Sequence, residues 1–298
     1  MKDIATDMRT EKGTIQMKDH MKDIAPVIDT HAHLWMDAES RKLDKMAEDG
    51  IISQVWIQAH ECHRVTETYR SATSAQVLEA SRRYPGFILP FGYLNWLKDA
   101  SQVDRMKEEG YFGLKAIRPV YAYDDERYFP LYERAQELDM PILFHVGTII
   151  QKTREQMTHP HFSPGPIRMR PSMLDTIGTV FPRLRLIQGH MGVPWCNELF
   201  ESLWYYRRIY CSINGLIDWK WLIDNLDRRT ELGVPFHQKM MFGTDIYYGQ
   251  ADPDAIYRAV LFMHEFFRRV GETYEWGLHV RDLMYNNACR FRDEPDQL

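Results

Sequence analysis

The chain lacks the features that would direct it to a membrane, to nucleic acid or to an oxidising compartment. It has only four cysteines, Cys62, Cys196, Cys211 and Cys289, far apart and without paired spacing. They make neither a disulfide framework nor a CxxC metal clip, and are expected to be reduced thiols of a cytoplasmic protein. No apolar run approaches the roughly 18 residues that a membrane span needs. The first 26 residues are polar and charged, unlike a secretory leader. Acidic residues outnumber basic ones, 42 to 37, for a formal charge of −5, so no broad basic face for nucleic acid is expected. Pro/Gly/Ser-rich linkers are also missing. Residues 26–298 are therefore expected to form one domain, preceded by a polar extension over 1–25 in which Met-Lys-Asp-Ile-Ala occurs at 1–5 and again at 21–25.

What the chain does have is alternation. From residue 26 onward short apolar runs alternate with segments of helical periodicity, the pattern of repeated βα units. Strands are expected near 27–31, 52–58, 87–93, 112–117, 141–146, 185–190, 209–213 and 239–244. Helices are expected near 40–49, 67–83, 99–109, 126–139, 171–181, 195–208, 219–231 and 253–270, with a last stretch over about 278–291. Eight strands and eight helices in 298 residues predict an α/β fold of the (β/α)8 TIM-barrel type, which takes about 250 residues. The connection from Thr148 to Arg170 is long for such a fold and is expected to be a lid or binding loop.

Five polar groups end apolar runs. Val27-Ile28-Asp29-Thr30 delivers His31-Ala32-His33, and Ile142-Leu143-Phe144 delivers His145. Leu184-Arg185-Leu186-Ile187-Gln188-Gly189 delivers His190, and Met240-Met241-Phe242-Gly243-Thr244 delivers Asp245. In a parallel barrel these strand ends share one rim, where such folds keep their chemistry. Residues i and i+2 of a strand face the same way, so His31 and His33 can reach one ion at about 2.0–2.1 Å. Any one histidine alone reads as a polar cap on a buried strand, but five groups so placed read as a divalent-metal site. Two rival motifs are weaker. His60-Glu-Cys-His63 has no second pair to complete a tetrahedron, and His159-Pro-His161 sits in a proline-rich stretch unsuited to a strand.

The ordered elements Ile28-Asp-Thr-His-Ala-His33, Gly113-Leu-Lys-Ala-Ile117, Pro141-Ile-Leu-Phe-His-Val-Gly147, Gly189-His-Met-Gly192, Phe242-Gly-Thr-Asp245 and Asn287-Ala288 resemble the amidohydrolase superfamily, in its amidohydrolase-2 branch. That branch includes aminocarboxymuconate-semialdehyde decarboxylase, γ-resorcylate decarboxylase and lactonases. The resemblance implies that His31, His33, His145 and Asp245 are metal ligands. It makes His190 catalytic, or a ligand of a second ion where one exists. Lys115 occupies the strand-four position at which some superfamily members carry a carboxylated lysine bridging two metals. Its neighbours follow the amidohydrolase-2 pattern, in which that lysine does not bridge, so one divalent ion is expected. Zinc is favoured by the imidazoles, with manganese as the alternative.

Such an ion supplies activated water at neutral pH. In a hydrolytic reaction on a lactone, ester or amide, Asp245 moves the proton and His190 polarises the carbonyl. In a non-oxidative decarboxylation, Asp245 or His190 instead protonates carbon. Arg118, Arg168 and Arg170 are candidate anchors for a substrate carboxylate, with Trp35 and His60 as candidate pocket walls. A barrel that holds metal without turnover is the reading against; loss of Asp245 or His190 would mark it, and both are present. The expected partners are a small-molecule substrate and, as an open alternative, further copies of the chain.

Overall fold

Apolar runs of β-prone residues become parallel strands because both their faces are covered, the inner by the barrel interior and the outer by helices. The strands are β1 (Val27–Leu34), β2 (Ile52–Gln58), β3 (Ile88–Tyr93), β4 (Gly113–Ala116), β5 (Ile142–His145), β6 (Leu186–Gly189), β7 (Ile209–Ile213), β8 (Met240–Phe242) and β9 (Tyr247–Tyr248). Between them run α1 (Ser40–Asp49), α2 (Ser74–Arg83), α3 (Ser101–Glu109), α4 (Phe129–Glu137), α5 (Met173–Val180), α6 (Cys196–Tyr205) and α7 (Trp219–Asn225). After β9 come α8 (Pro253–Tyr274) and, behind a π-turn over Asp282–Asn286, α9 (Asn287–Asp293). The computed structural model describes residues 21–61, 70–149, 166–215, 217–231, 233–274 and 279–293. Among them no helix is long and apolar enough to cross a membrane.

The sheet order β8-β7-β6-β5-β4-β3-β2-β1-β9 shows how the barrel closes. The chain leaves β8, turns at Asp245, and pairs β9 with the end of β1 in the register His33↔Tyr247 and Leu34↔Tyr248. The backbone N–H groups of Thr244 and Asp245 both donate to His31 O, at 3.2 and 2.7 Å. A (β/α)8 barrel was expected and is found; the two-residue β9 was not foreseen, being too short to carry periodicity.

Inside the barrel, Ile28, Trp56, Phe91, Leu143, Ile187, Tyr210 and Met241 form an apolar floor, plugged from below by Ala288 and Phe291 of α9. Two residues beyond the floor, on the same strand face, lie Gln58, His145, Ser212 and Gly243. Strict alternation would send Ile28 and His31 to opposite faces. A bulge in β1 resolves this: Asp29 pairs with Val55 and Ala32 with Ile57, so three steps on β1 match two on β2. The inserted residue brings His31 inward above Ile28, as bulges beside active sites often do.

The expected helix over 67–83 starts at Ser74 among the described residues. Ala72 N donates to Leu34 O at 2.8 Å, which keeps the preceding chain extended, and Thr73 with Gln76 forms a capping box that sets the start. Of the expected extension, residues 21–24 are helical, and Met21 and Ile24 are buried in the main core. Residues 1–20 of the extension, the motif residues Cys62 and His63, and His159-Pro-His161 lie outside the described residues.

Candidate metal centre

All five groups foreseen at the rim converge. One ligand atom each from His31, His190 and Asp245 lies within 4.8 Å of the others. Asp245 Oδ1 is 3.2 Å from His33 Nε2 and 3.7 Å from His31 Nε2, and Oδ2 is 3.7 Å from His190 Nδ1. The His145 ring lies against that of His190, with centroids 4.1 Å apart. Neighbouring ligands on a tetrahedral ion at about 2.0–2.1 Å stand roughly 3.3 Å apart, close to the 3.2–3.7 Å that separate Asp245 from His31, His33 and His190. A donor set of imidazoles and one carboxylate suits zinc or manganese.

Backbone groups fix how the rings turn. His33 Nδ1 meets Gln58 O at 3.0 Å, which presents Nε2 to the centre. His145 Nε2 meets Thr148 O at 3.1 Å, which leaves Nδ1 as the nitrogen available to an ion. His31 is fully buried; its Nε2 is 3.0 Å from Lys115 Nζ, and its Nδ1 has no partner among the described residues. Its space depends on Gly189, where a Cβ would stand 2.7 Å from His31 Cε1.

The electrostatics suit cation binding. Burial, then the charge of Lys115, holds His31 well below the usual histidine range, and burial with neighbouring His190 does the same for His145. Burial pushes His190 down to about 4. For Asp245 burial acts upward, but the imidazoles of His190 and His33 outweigh it and hold the carboxyl well below the carboxylate range. Neutral imidazoles around an ionised carboxylate are the protonation state a metal requires. His190 and Asp245 also take left-handed backbone conformations, with φ of 72° and 59°. Each costs a non-glycine residue roughly 1–2 kcal/mol, a strain found mainly at working sites.

Asp29, to which the sequence reading gave no role, ties the two halves of the centre together. Its fully buried carboxylate accepts from His31 N at 3.1 Å, Thr244 N at 3.0 Å, Thr244 Oγ1 at 2.6 Å and Tyr248 OH at 2.9 Å. Burial pushes it up to about 6 against the pull of these donors. A charged residue inside an apolar strand run was its one signal in the sequence. Tyr247 was missed too: its ring stacks on His33 with centroids 5.2 Å apart and meets the edge of Trp35 at 5.6 Å.

The residues foreseen for substrate divide. His60 stands at the end of β2 with its ring 5.8 Å from His33, and Trp35 borders Tyr247, so both line the rim. Arg118, just past β4, is buried with φ of 51°. Arg168 Nη1 donates to Val120 O. Arg170 is committed elsewhere: its guanidinium forms a two-pronged pair with Glu198 of α6 and lies over the Trp195 ring at 5.1 Å.

A barrel with imidazoles and a carboxylate converging at the carboxyl ends of its strands has polar chemistry at the rim where barrel enzymes keep theirs. A family model described as amidohydrolase matches residues 28–266, and the chain belongs to that family, amidohydrolase-2. Family members are enzymes, hydrolases and decarboxylases among them. No curated protein matches the sequence. Among solved structures, an uncharacterised TIM-barrel protein from Bordetella bronchiseptica is similar at 15% identity and a TM-score of 0.60, over 89% of this chain and 97% of that one. A probable 2-pyrone-4,6-dicarboxylic acid hydrolase from Acinetobacter baumannii, solved with citric acid, is similar at 11% identity and 0.57, over 90% and 99%. A 5-carboxyvanillate decarboxylase from Novosphingobium aromaticivorans, solved with manganese and 3-methoxy-4-hydroxy-5-nitrobenzoic acid, is similar at 14% identity and 0.56, over 89% and 96%. At these identities the likeness is one of fold.

Proposed function

We propose that the chain is a metal-dependent hydrolase that cleaves a C–O or C–N bond of a small carboxylated lactone, ester or amide with water. The observation that carries this reading is the division of Asp245. Its Oδ1 faces His31 and His33 at 3.7 and 3.2 Å, while Oδ2 faces His190 at 3.7 Å. In this reading one oxygen serves as a ligand and the other as a proton acceptor.

In this reading His31, His33, His145 and Asp245 hold one divalent ion, zinc first and manganese second. When bound, the ion makes water acidic enough to react at neutral pH and polarises the scissile carbonyl. Asp245 takes the proton from water and hands it to the leaving group. His190, with burial holding its pKa at about 4, stays neutral at pH 7 and can offer an N–H to the oxygen on which negative charge develops. Arg118 and Arg168 are the arginines assigned to the substrate carboxylate, and Trp35, Tyr247 and His60 form the wall beside it. The described cysteines Cys196, Cys211 and Cys289 are free thiols, in keeping with a cytoplasmic setting.

Decarboxylation of a small aromatic or muconate-like acid is the second reading, favoured by the similar fold of a decarboxylase solved with manganese and a nitrobenzoic acid. It requires Asp245 or His190 to deliver a proton to carbon, where hydrolysis requires Asp245 to pass one from water to the leaving group. Hydrolysis ranks first on the facing of the two Asp245 oxygens. A screen of lactones, hydroxybenzoates and muconates that records acid and carbon dioxide release in parallel tests the ranking; carbon dioxide as the product reverses it.

A further inference from the structure

Three of the proposed ligands, His31, His33 and Asp245, meet where the two ends of the sheet come together, and something must hold those ends in register. His31 and His33 stand on β1, while Asp245 stands in the turn between β8 and β9. The turn is strained, with Asp245 at φ of 59°. Left alone, a non-glycine residue relaxes from this region.

Every backbone N–H around Asp245 is tied. Thr244 N donates to Asp29 Oδ1 at 3.0 Å and lies 3.2 Å from His31 O. Asp245 N donates to His31 O at 2.7 Å. Ile246 N donates to Thr244 Oγ1 at 3.2 Å. The Thr244 hydroxyl in turn donates to Asp29 Oδ2 at 2.6 Å, so it brackets Asp245 from both sides. The same Asp29 carboxylate accepts from His31 N at 3.1 Å. One fully buried side chain thus grips the backbone of a ligand on β1 and of the residue preceding a ligand on the far edge.

We propose that Asp29 and Thr244 are positioning residues: acting together, they lock Asp245 in its left-handed conformation and set its carboxylate opposite His31 and His33. This rests on the metal-site reading above and adds to it the device that assembles the site. Neither residue touches the ion. Their effect is on where Asp245 stands, hence on metal geometry and affinity rather than on substrate binding. Asparagine at 29 fails as a replacement because its amide group presents N–H to donors. Valine at 244 keeps the shape of threonine and loses both hydrogen bonds of the hydroxyl.

The test uses cobalt(II) added to chelator-treated full-length chain, with its affinity, visible ligand-field spectrum and melting temperature measured. Wild type, Asp29→Asn, Thr244→Val, Thr244→Ser and Tyr248→Phe are compared. Partners of this kind typically change metal affinity roughly 10- to 100-fold. Losses in that range, with an altered cobalt spectrum, are expected for Asp29→Asn and Thr244→Val. Thr244→Ser, which restores the hydroxyl, is expected to return both towards wild type. Tyr248→Phe removes a bond to Asp29 that does not reach the 244–246 backbone, and is expected to keep the wild-type spectrum. Wild-type affinity and spectrum in both Asp29→Asn and Thr244→Val overturn the proposal and leave the metal site standing. So does failure of Thr244→Ser to restore a spectrum lost in Thr244→Val, since the loss then reflects general destabilisation. A wild-type chain that binds no cobalt overturns the metal reading itself and the positioning role with it.

Discussion

His33 Nε2 lies 3.2 Å from Asp245 Oδ1, while its Nδ1 is engaged with the Gln58 carbonyl oxygen at 3.0 Å. The carbonyl accepts only, so Nδ1 carries the proton of a neutral ring and Nε2 presents its lone pair. The atom facing that lone pair is a carboxylate oxygen, also an acceptor. Either a cation or a proton on Nε2 joins two such atoms, and the His33 contact is among those that hold the Asp245 carboxyl low. A metal ion bound there would take the place of that proton.

The first prediction follows directly. Protein purified without chelator carries one divalent ion per chain by elemental analysis. Removing it lowers the melting temperature, because an ion at 100 times its dissociation constant stabilises by about 2.7 kcal/mol. For a barrel of this size the drop is several degrees. A chain free of metal, whose melting is indifferent to added zinc and manganese, contradicts the assignment.

The second prediction concerns pH in the metal-free chain. His31 and His145 titrate well below the usual range in the fold and His190 at about 4, against about 6.5 when unfolded. Below pH 6.5 the unfolded chain takes up protons that the folded chain refuses, so stability is lost as pH falls from about 6.5 towards 4. Asp29, raised to about 6, acts oppositely: it protonates first in the fold and adds stability as pH falls through 6. Three histidines outweigh one carboxyl. Melting curves of chelator-treated protein should move to lower temperature between pH 7 and pH 5; an unchanged or rising midpoint means the imidazoles are not buried and neutral.

Much of this centre was legible because chemistry coincided with strand ends. His31, His33, His145, His190 and Asp245 each close an apolar run, and parallel strands bring such ends to one rim whatever the loops do. The bulge in β1 was not legible, since nothing in Asp29-Thr30-His31-Ala32 says that three steps there match two on β2. Nor was the closure by Tyr247 and Tyr248, a pairing settled by tertiary contact. Arg170 was expected at the substrate from its place late in the long loop; its pair with Glu198, on a helix later in the chain, was not legible either.

The third prediction separates binding from catalysis. His31→Ala and His145→Ala should lose metal and activity together. His190→Ala should keep the ion and lose turnover by roughly 10²–10⁴, the usual worth of a positioned acid–base group. Metal content by elemental analysis, read beside kcat, decides. Two ions in the wild type that fall to one in His190→Ala would make the centre binuclear.

The fourth prediction uses the divided arginines. Arg118→Ala and Arg168→Ala should raise KM for a carboxylate substrate, since a charge-assisted hydrogen bond of about 1.5–3 kcal/mol corresponds to roughly 10- to 100-fold. Arg170→Ala should leave KM alone and cost at most about 1 kcal/mol of stability, because its pair with Glu198 is part-exposed. A raised KM in Arg170→Ala alone would reverse the assignment.

The last prediction is the course of the reaction. Hydrolysis and decarboxylation can share one ligand set, so geometry distinguishes them only through proton direction. Asp245, with one oxygen facing His31 and His33 and the other facing His190, is set to receive a proton from water in hydrolysis, whereas decarboxylation needs a proton delivered to carbon. With a substrate found by the screen, turnover in oxygen-18 water should place one labelled oxygen in a new carboxylate and release no carbon dioxide. The pH profile adds an independent check: a hydrolase using Asp245 as base keeps its activity as pH rises from 6 to 8, whereas a decarboxylase relying on a protonated His190 loses it. Carbon dioxide released without label in the product, with activity falling over that range, assigns the chain to decarboxylation.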